Sequence, residues 1–206
     1  MASTAHAEAI KGVEAIFERY LLIARSKNFT GFDRHLMETV KIIDASPEGT
    51  VTFDLLIDER YSNINGVMHG GAAGVIFDMC TTTALGPLAK PGFWDFLGGV
   101  TRSLNISYLR AIPIGMSPRP LSIKLHLQFS NPKTGTTVRI NSKVMQVGRT
   151  MAMIRGTMSS RDGKTVYCTC EHHKVAVPTR EEHLQHRVEW DGIWEGKGKD
   201  AIPGKL

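Results

Sequence analysis

The chain has 206 residues, 42% of them hydrophobic, which is enough for one good core and short for two full domains. No run approaches the roughly eighteen apolar residues a bilayer-spanning helix needs, and the first 27 residues carry Glu8, Glu14 and Glu18 but no secretory apolar stretch, so a soluble, cytoplasmic protein is expected, an organelle staying open. The formal charge of +5 concentrates in residues 97–176, where twelve Lys and Arg face only Asp162 and Glu171; without a basic helix, zinc-finger spacing or an aromatic-and-basic strand, this favours solvated strand faces or a phosphate-bearing ligand over nucleic acid.

Along the chain, Ile10, Val13, Phe17, Tyr20, Leu21 and Ala24 recur at helical spacing and predict an amphipathic helix over residues 7–27. It would pack on the domain or on a partner subunit. Residues 34–44 and 49–58 read as two strands of a hairpin, with Val51, Phe53, Leu55 and Ile57 alternating in the second.

The stretch NINGVMHGGAAGVIFDMCTTTAL, residues 63–85, then changes character. Asn63, Asn65 and Gly66 are turn formers. After His69, Gly70 and Gly71 come about fourteen small or apolar residues without proline, which is too long for an ordinary strand and fits a buried helix. The His-Gly-Gly should cap its start, where unpaired N–H groups point outward and glycines let a ligand approach the backbone. Asp78 is the one charged residue of the segment, flanked by Phe77 and Met79. Burying it as an ion is costly unless it has partners or a task. Gly70 and Asp78 lie about 12 Å apart along a continuous helix, so they cannot serve one small reacting centre within one chain. Two antiparallel copies across a two-fold axis would bring them together.

Residues 88–96, LAKPGFWDF, form a loop whose aromatics would either line a pocket or anchor the core. In the strand at 98–110, strict alternation puts Val100, Leu104, Ile106 and Tyr108 on one face and Thr101, Ser103, Asn105 and Ser107 on the other. Residues 137–147, 150–160 and 165–175 predict three more strands, with turns at Val147-Gly148-Arg149 and at Asp162-Gly163. Cys168, Cys170 and His172 alternate along one face. Strand-mates two apart converge poorly on one ion, so reduced core thiols are the preferred reading and no metal is expected. After Pro178 a short helix over 181–190 and a disordered tail are expected. Two strands, a long helix and then several strands suggest an α+β domain in which a curved antiparallel sheet wraps a helix.

The spacing of Asn63, His69-Gly70-Gly71 and Asp78 resembles the signature of the hot-dog-fold acyl-CoA thioesterases of the phenylacetate-pathway type. A second block, GVTRSLNISY at 99–108, is similar to the strand after the family's central helix, and Val147-Gly148-Arg149-Thr150 to a later turn. The resemblance covers about residues 34–176 and implies a hot-dog domain there, preceded by a helical extension over 1–33 and followed by a tail over 177–206. The chain departs from the family by inserting about twenty residues at 116–136, which look like an added strand. What the resemblance implies is hydrolysis of an acyl-CoA thioester in a homodimer or dimer of dimers, without cofactor. The Gly70 N–H would bind the carbonyl oxygen, Asp78 of the other subunit would activate water or attack directly, and Thr101 would hold the water. Asn63 and His69 would position the substrate, with Gly71 lining the site and Arg149 meeting the coenzyme's phosphates. A hydratase or lyase of the same fold and a non-catalytic acyl-binding or scaffold protein are the alternatives.

Overall fold

A computed structural model describes residues 2–114 and 135–192, with side chains from residue 4 onward. The added strand expected within 116–136 and the tail past 192 lie outside the described residues. In chain order the elements are α1 (Ala2–Ser26), α2 (Arg34–Thr39), β1 (Lys41–Ser46), β2 (Thr50–Ile57), α3 (Gly70–Thr83), β3 (Val100–Tyr108), β4 (Thr136–Val147), β5 (Met151–Ser160), β6 (Val166–Val175) and α4 (Glu189–Gly192). The six strands form one antiparallel sheet in the order β1-β2-β4-β5-β6-β3. Among the described residues β1 and β3 are its edges, and the sheet is not closed.

The inner face of the sheet follows from period-two patterning. Val51, Phe53, Leu55 and Ile57 of β2, Val138 and Ile140 of β4, Ala152, Ile154 and Met158 of β5, and Cys168 and Cys170 of β6 are all buried. α3 lies across this face through Ala73, Ile76, Phe77 and Cys80. Gly156 makes the close approach feasible: a Cβ there would lie 2.7 Å from Cys170 Sγ and 2.8 Å from the Phe77 ring. The small residue is therefore the seat of the helix's largest side chain.

α1 is part of the same core. Its Phe17 ring stands 6.2 Å from that of Phe53, and Gly12 meets Gly86, in the turn after α3, so closely that a Cβ on Gly12 would lie 2.7 Å from the Gly86 carbonyl oxygen. Arg19 is buried beneath the Phe96 ring and satisfied on all sides, donating to the carbonyls of Phe96 and His186 and to Asp191 at 2.6 Å. The helix thus joins the loop before β3 to the segment after β6.

Three expectations need correction. Residues 34–39 are helical and not the start of a strand: Arg34 and Glu38 form an i,i+4 ion pair at 2.7 Å while Leu36 and Met37 turn inward, and extended backbone resumes at Val40. The segment 181–190 holds a 3₁₀ turn, Glu181–His183, and then α4, not one helix. Finally, alternation along β3 is not strict. Thr101 pairs with Lys174 and Ser103 with His173, so Arg102 is an extra residue, a β-bulge. Thr101 thereby shares the inner face with Leu104, Ile106 and Tyr108, away from Ser103 and Asn105.

Candidate active site

His69 caps α3 with extended backbone (φ −66°, ψ 136°), its Nδ1 accepting the Gly71 N–H at 2.9 Å. The N–H groups of Ala72 and Ala73 reach the His69 carbonyl. Gly70, the first residue of the helix, keeps an N–H with no acceptor among the described residues, as a helix N-terminus requires of its first donors. Asn63 holds the preceding turn, its Oδ1 accepting from Asn65 and Val67 at 2.9 and 3.4 Å. Tyr108 on β3 donates to the Gly70 carbonyl at 2.7 Å and fixes this end of α3 to the sheet edge. A cavity of about 320 Å³ opens beside Gly70, walled by Met68, Tyr108, Arg110 and Ile112.

Two helical turns on, Asp78 has a 42% exposed side chain. The bulge brings Thr101 against it, and the Thr101 hydroxyl lies 2.5 Å from Asp78 Oδ1. The same hydroxyl oxygen is 2.9 Å from Nε2 of His172, whose ring sits 3.5 Å from Asp78 and is fully buried. On the ring's other side, Nδ1 is 2.6 Å from the Thr81 hydroxyl. Lys174, also buried, donates to Thr82 Oγ1 at 2.7 Å, and Thr82 donates to the Asp78 carbonyl. Burial pulls the His172 pKa down to about 4, helped by the Lys174 and His173 charges and opposed by the Asp78 carboxylate. Burial likewise pulls Lys174 down to about 8, again opposed by Asp78.

The structure therefore brings Asp78 and Thr101 together, groups Asn63, His69, Gly70 and Gly71 at the far end of α3, and sets Arg149 in a third place. Arg149 is exposed in the β4–β5 turn, on the rim of a cavity of about 390 Å³ that also touches Trp94, Phe96 and Gly99. Trp94 and Phe96 are buried in left-handed backbone (φ 51° and 59°), and the Trp94 indole N–H donates to the Gly148 carbonyl at 2.7 Å. They anchor the loop and wall that cavity at once. Sequence reasoning missed His172 and Lys174 as neighbours of Asp78. Their alternation with Cys168 and Cys170 placed them on the inner face, yet nothing local told that β6 would run beneath Asp78. No three-residue metal-binding group occurs among the described residues, and no helix there is long and apolar enough to cross a membrane.

No model of a protein family matches the chain. Acyl-coenzyme A thioesterase 13 of Mus musculus is 31% identical over 85 residues, 41% of this chain and 56% of that protein. A Schizosaccharomyces pombe relative named for an esterase activity is 32% identical over 84 residues and is covered over 48% of its length. The matches thus span about half the length of these curated relatives. Among solved structures, zebrafish thioesterase superfamily member 2 superposes with a TM-score of 0.53 at 25% identity, over 70% of this chain and 86% of that one. A hypothetical thioesterase protein of Streptococcus pneumoniae TIGR4, crystallised with coenzyme A, shares the fold with a TM-score of 0.51 at 19% identity, over 70% and 90% of the two chains. The α+β arrangement of α3 and its antiparallel sheet is the hot-dog fold, and in fold, and over part of its sequence, the chain is similar to thioesterases.

Proposed function

We propose that the protein hydrolyses acyl-CoA thioesters at a site shared between two copies of the chain, as a thioesterase of the phenylacetate-pathway type. The observation that carries this reading is the state of Asp78: one oxygen is engaged by Thr101 at 2.5 Å, while Oδ2 has no partner among the described residues and the side chain remains 42% exposed. A carboxylate so fixed is suited to accept a proton from water. Its complement, the unpartnered Gly70 N–H, is about 12 Å away on the same helix. A second helix running antiparallel to the first would bring the two within reach of one carbonyl. Among the described residues β3 is a sheet edge with Val100 and Tyr108 exposed, and Gly74, Val75, Asp78 and Met79 form a half-buried stripe of α3, which supports a second copy packing there.

In this scheme the thioester oxygen accepts from the Gly70 N–H, which stabilises the charge developing on it. Water adds to the carbonyl carbon as Asp78 takes its proton. The carbon–sulfur bond then breaks, and the thiolate leaves with the proton returned from Asp78. Asn63 and His69 shape the entrance, and Arg149 serves the coenzyme's phosphates, for which a guanidinium is well suited.

The test is thiol release from a panel of acyl-CoA esters by wild type, Asp78→Asn and Asp78→Ala. Release that both substitutions abolish is expected. Tight binding without turnover of any ester points instead to a scaffold, and hydration of a double bond without thiol release to a lyase.

A further inference from the structure

We infer that Tyr108 is a positioning residue whose hydroxyl, across the Gly70–Gly71 peptide from the His69 cap, fixes the direction of the Gly70 N–H. Its kinetic consequences rest on the hydrolytic reading above; its hydrogen bonding does not.

Two adjacent glycines open α3, and glycine is the backbone with the most freedom to turn. They lie in a turn whose first N–H groups have no partners within the helix. A donor that is to meet a developing oxyanion has to be aimed in advance. The Gly70 N–H belongs to the peptide plane between His69 and Gly70, and that plane is held through the His69 carbonyl, which accepts from Ala72 and Ala73 at 3.0 and 3.4 Å. The next plane, between Gly70 and Gly71, is held at both ends. Its carbonyl accepts from the Tyr108 hydroxyl at 2.7 Å, and its N–H donates to His69 Nδ1 at 2.9 Å. Both directions are unambiguous, because a carbonyl can only accept from the phenol and a backbone amide can only donate to the imidazole nitrogen. With the planes on both sides of the Gly70 Cα fixed, its N–H cannot tilt.

Tyr108 is itself a firm post. Immediately after it the N–H groups of Leu109 and Arg110 both donate to the Tyr167 carbonyl, at 2.8 and 3.0 Å, which ties the end of β3 to β6. Further on, the Ile112 carbonyl accepts from Met68 at 2.9 Å and the Ile114 N–H donates to the Gly66 carbonyl at 3.1 Å, so the same segment steadies the turn before α3. β3 thus fastens α3 at both places the proposed chemistry uses: Thr101 near its start meets Asp78 at 2.5 Å, and Tyr108 at its end meets Gly70. The Tyr108 ring also walls the cavity beside Gly70, and kinetics separate that role from the role of the hydroxyl.

Tyr108→Phe removes the hydroxyl and keeps the ring. By NMR, the Gly71 amide of this variant should exchange with water about fivefold faster than in wild type, as loss of one hydrogen bond to its peptide predicts, while the amides of residues 76–80 exchange as before. Unchanged exchange at Gly71 overturns the inference whether or not thioesters are hydrolysed. For an acyl-CoA ester that wild type turns over, kcat should fall about tenfold, a part of the hundredfold or more that an oxyanion donor is worth, with KM little changed. A raised KM at unchanged kcat would leave Tyr108 a cavity wall only and refute the assignment. The route is read from the double variant. Because Tyr108 acts through the Gly70 N–H, adding Tyr108→Phe to Gly70→Pro, which lacks that N–H, should cost nothing more. A second, additive loss would mean a merely structural role and refute it as well. If wild type turns over no ester, the hydrolytic reading fails, and the Gly71 exchange alone decides whether the hydroxyl holds this peptide.

Discussion

The proposed sharing of the site between two chains can be tested by counting intact sites. Gly70→Pro removes only the N–H at the first helical position. Proline is favoured there, His69 already has the extended backbone a following proline demands (ψ 136°), and the lost N–H has no acceptor among the described residues. A Cβ at this position lies 3.4 Å from the Tyr108 hydroxyl, ordinary van der Waals contact. The helix should therefore survive while the carbonyl loses its donor, a cost of about 3 kcal/mol or a hundredfold and more in kcat. Asp78→Asn removes the base, worth roughly 10²–10⁴. Each variant alone should be nearly inactive.

Co-expression with two different tags and sequential purification gives the mixed dimer. One of its two sites then draws Asp78 from the Gly70→Pro chain and Gly70 from the Asp78→Asn chain, and is intact. Thiol release per dimer should be about half that of wild type. The converse mixture, a chain carrying both substitutions with a wild-type chain, contains only half-damaged sites and should be nearly silent. A site housed within one chain predicts the opposite pair, silence in the first mixture and half activity in the second. That reversal would refute the shared site.

Further outcomes are expected from the same geometry. Thr101→Val should lower kcat about tenfold by removing a donor to Asp78, whereas Thr101→Ser should keep most of the activity; steady-state thiol release measures this. Arg149→Ala should raise KM for acyl-CoA esters but not for the corresponding short acyl-cysteamine thioesters, which carry no phosphates. Gly156→Ala should cost about 1–3 kcal/mol in denaturant unfolding, since the new methyl meets Cys170 Sγ and the Phe77 ring below 3 Å. His172, with a pKa pulled from 6.5 to about 4 in the fold, contributes stability that is present above pH 6.5 and lost as pH falls through 4. That amounts to about 3 kcal/mol, and urea titrations from pH 7 to 4 should show a shallower loss for His172→Gln than for wild type.

The parts of the fold readable from sequence were those whose signal is local. His69-Gly70-Gly71 before a proline-free apolar run marks the start of α3 to the residue, and Asp162-Gly163 marks the β5–β6 hairpin, because capping and turn geometry are decided by a few adjacent residues. Residues 34–39 misled because Leu36 and Met37 fit either a strand or one helical turn, and the Arg34–Glu38 pair that tips the balance contributes only a few tenths of a kcal/mol. The candidate site divides in the same manner. Asp78 stood out as a lone charge in an apolar helix, and Thr101 entered by resemblance, but alternation alone assigned Thr101 to the wrong face. A bulge costs no distinctive residue. Arg102 reveals itself only through pairing with β6, a strand some seventy residues later. The same long-range pairing puts His172 and Lys174 beneath Asp78. Pairing Arg102 with Lys174 would turn Thr101 to the outer face, away from both Asp78 and His172, whereas deleting Arg102 keeps Thr101 opposite Lys174 and on the inner face; the Arg102 deletion should therefore retain most of the thiol release of wild type, and its loss would refute this account of the bulge.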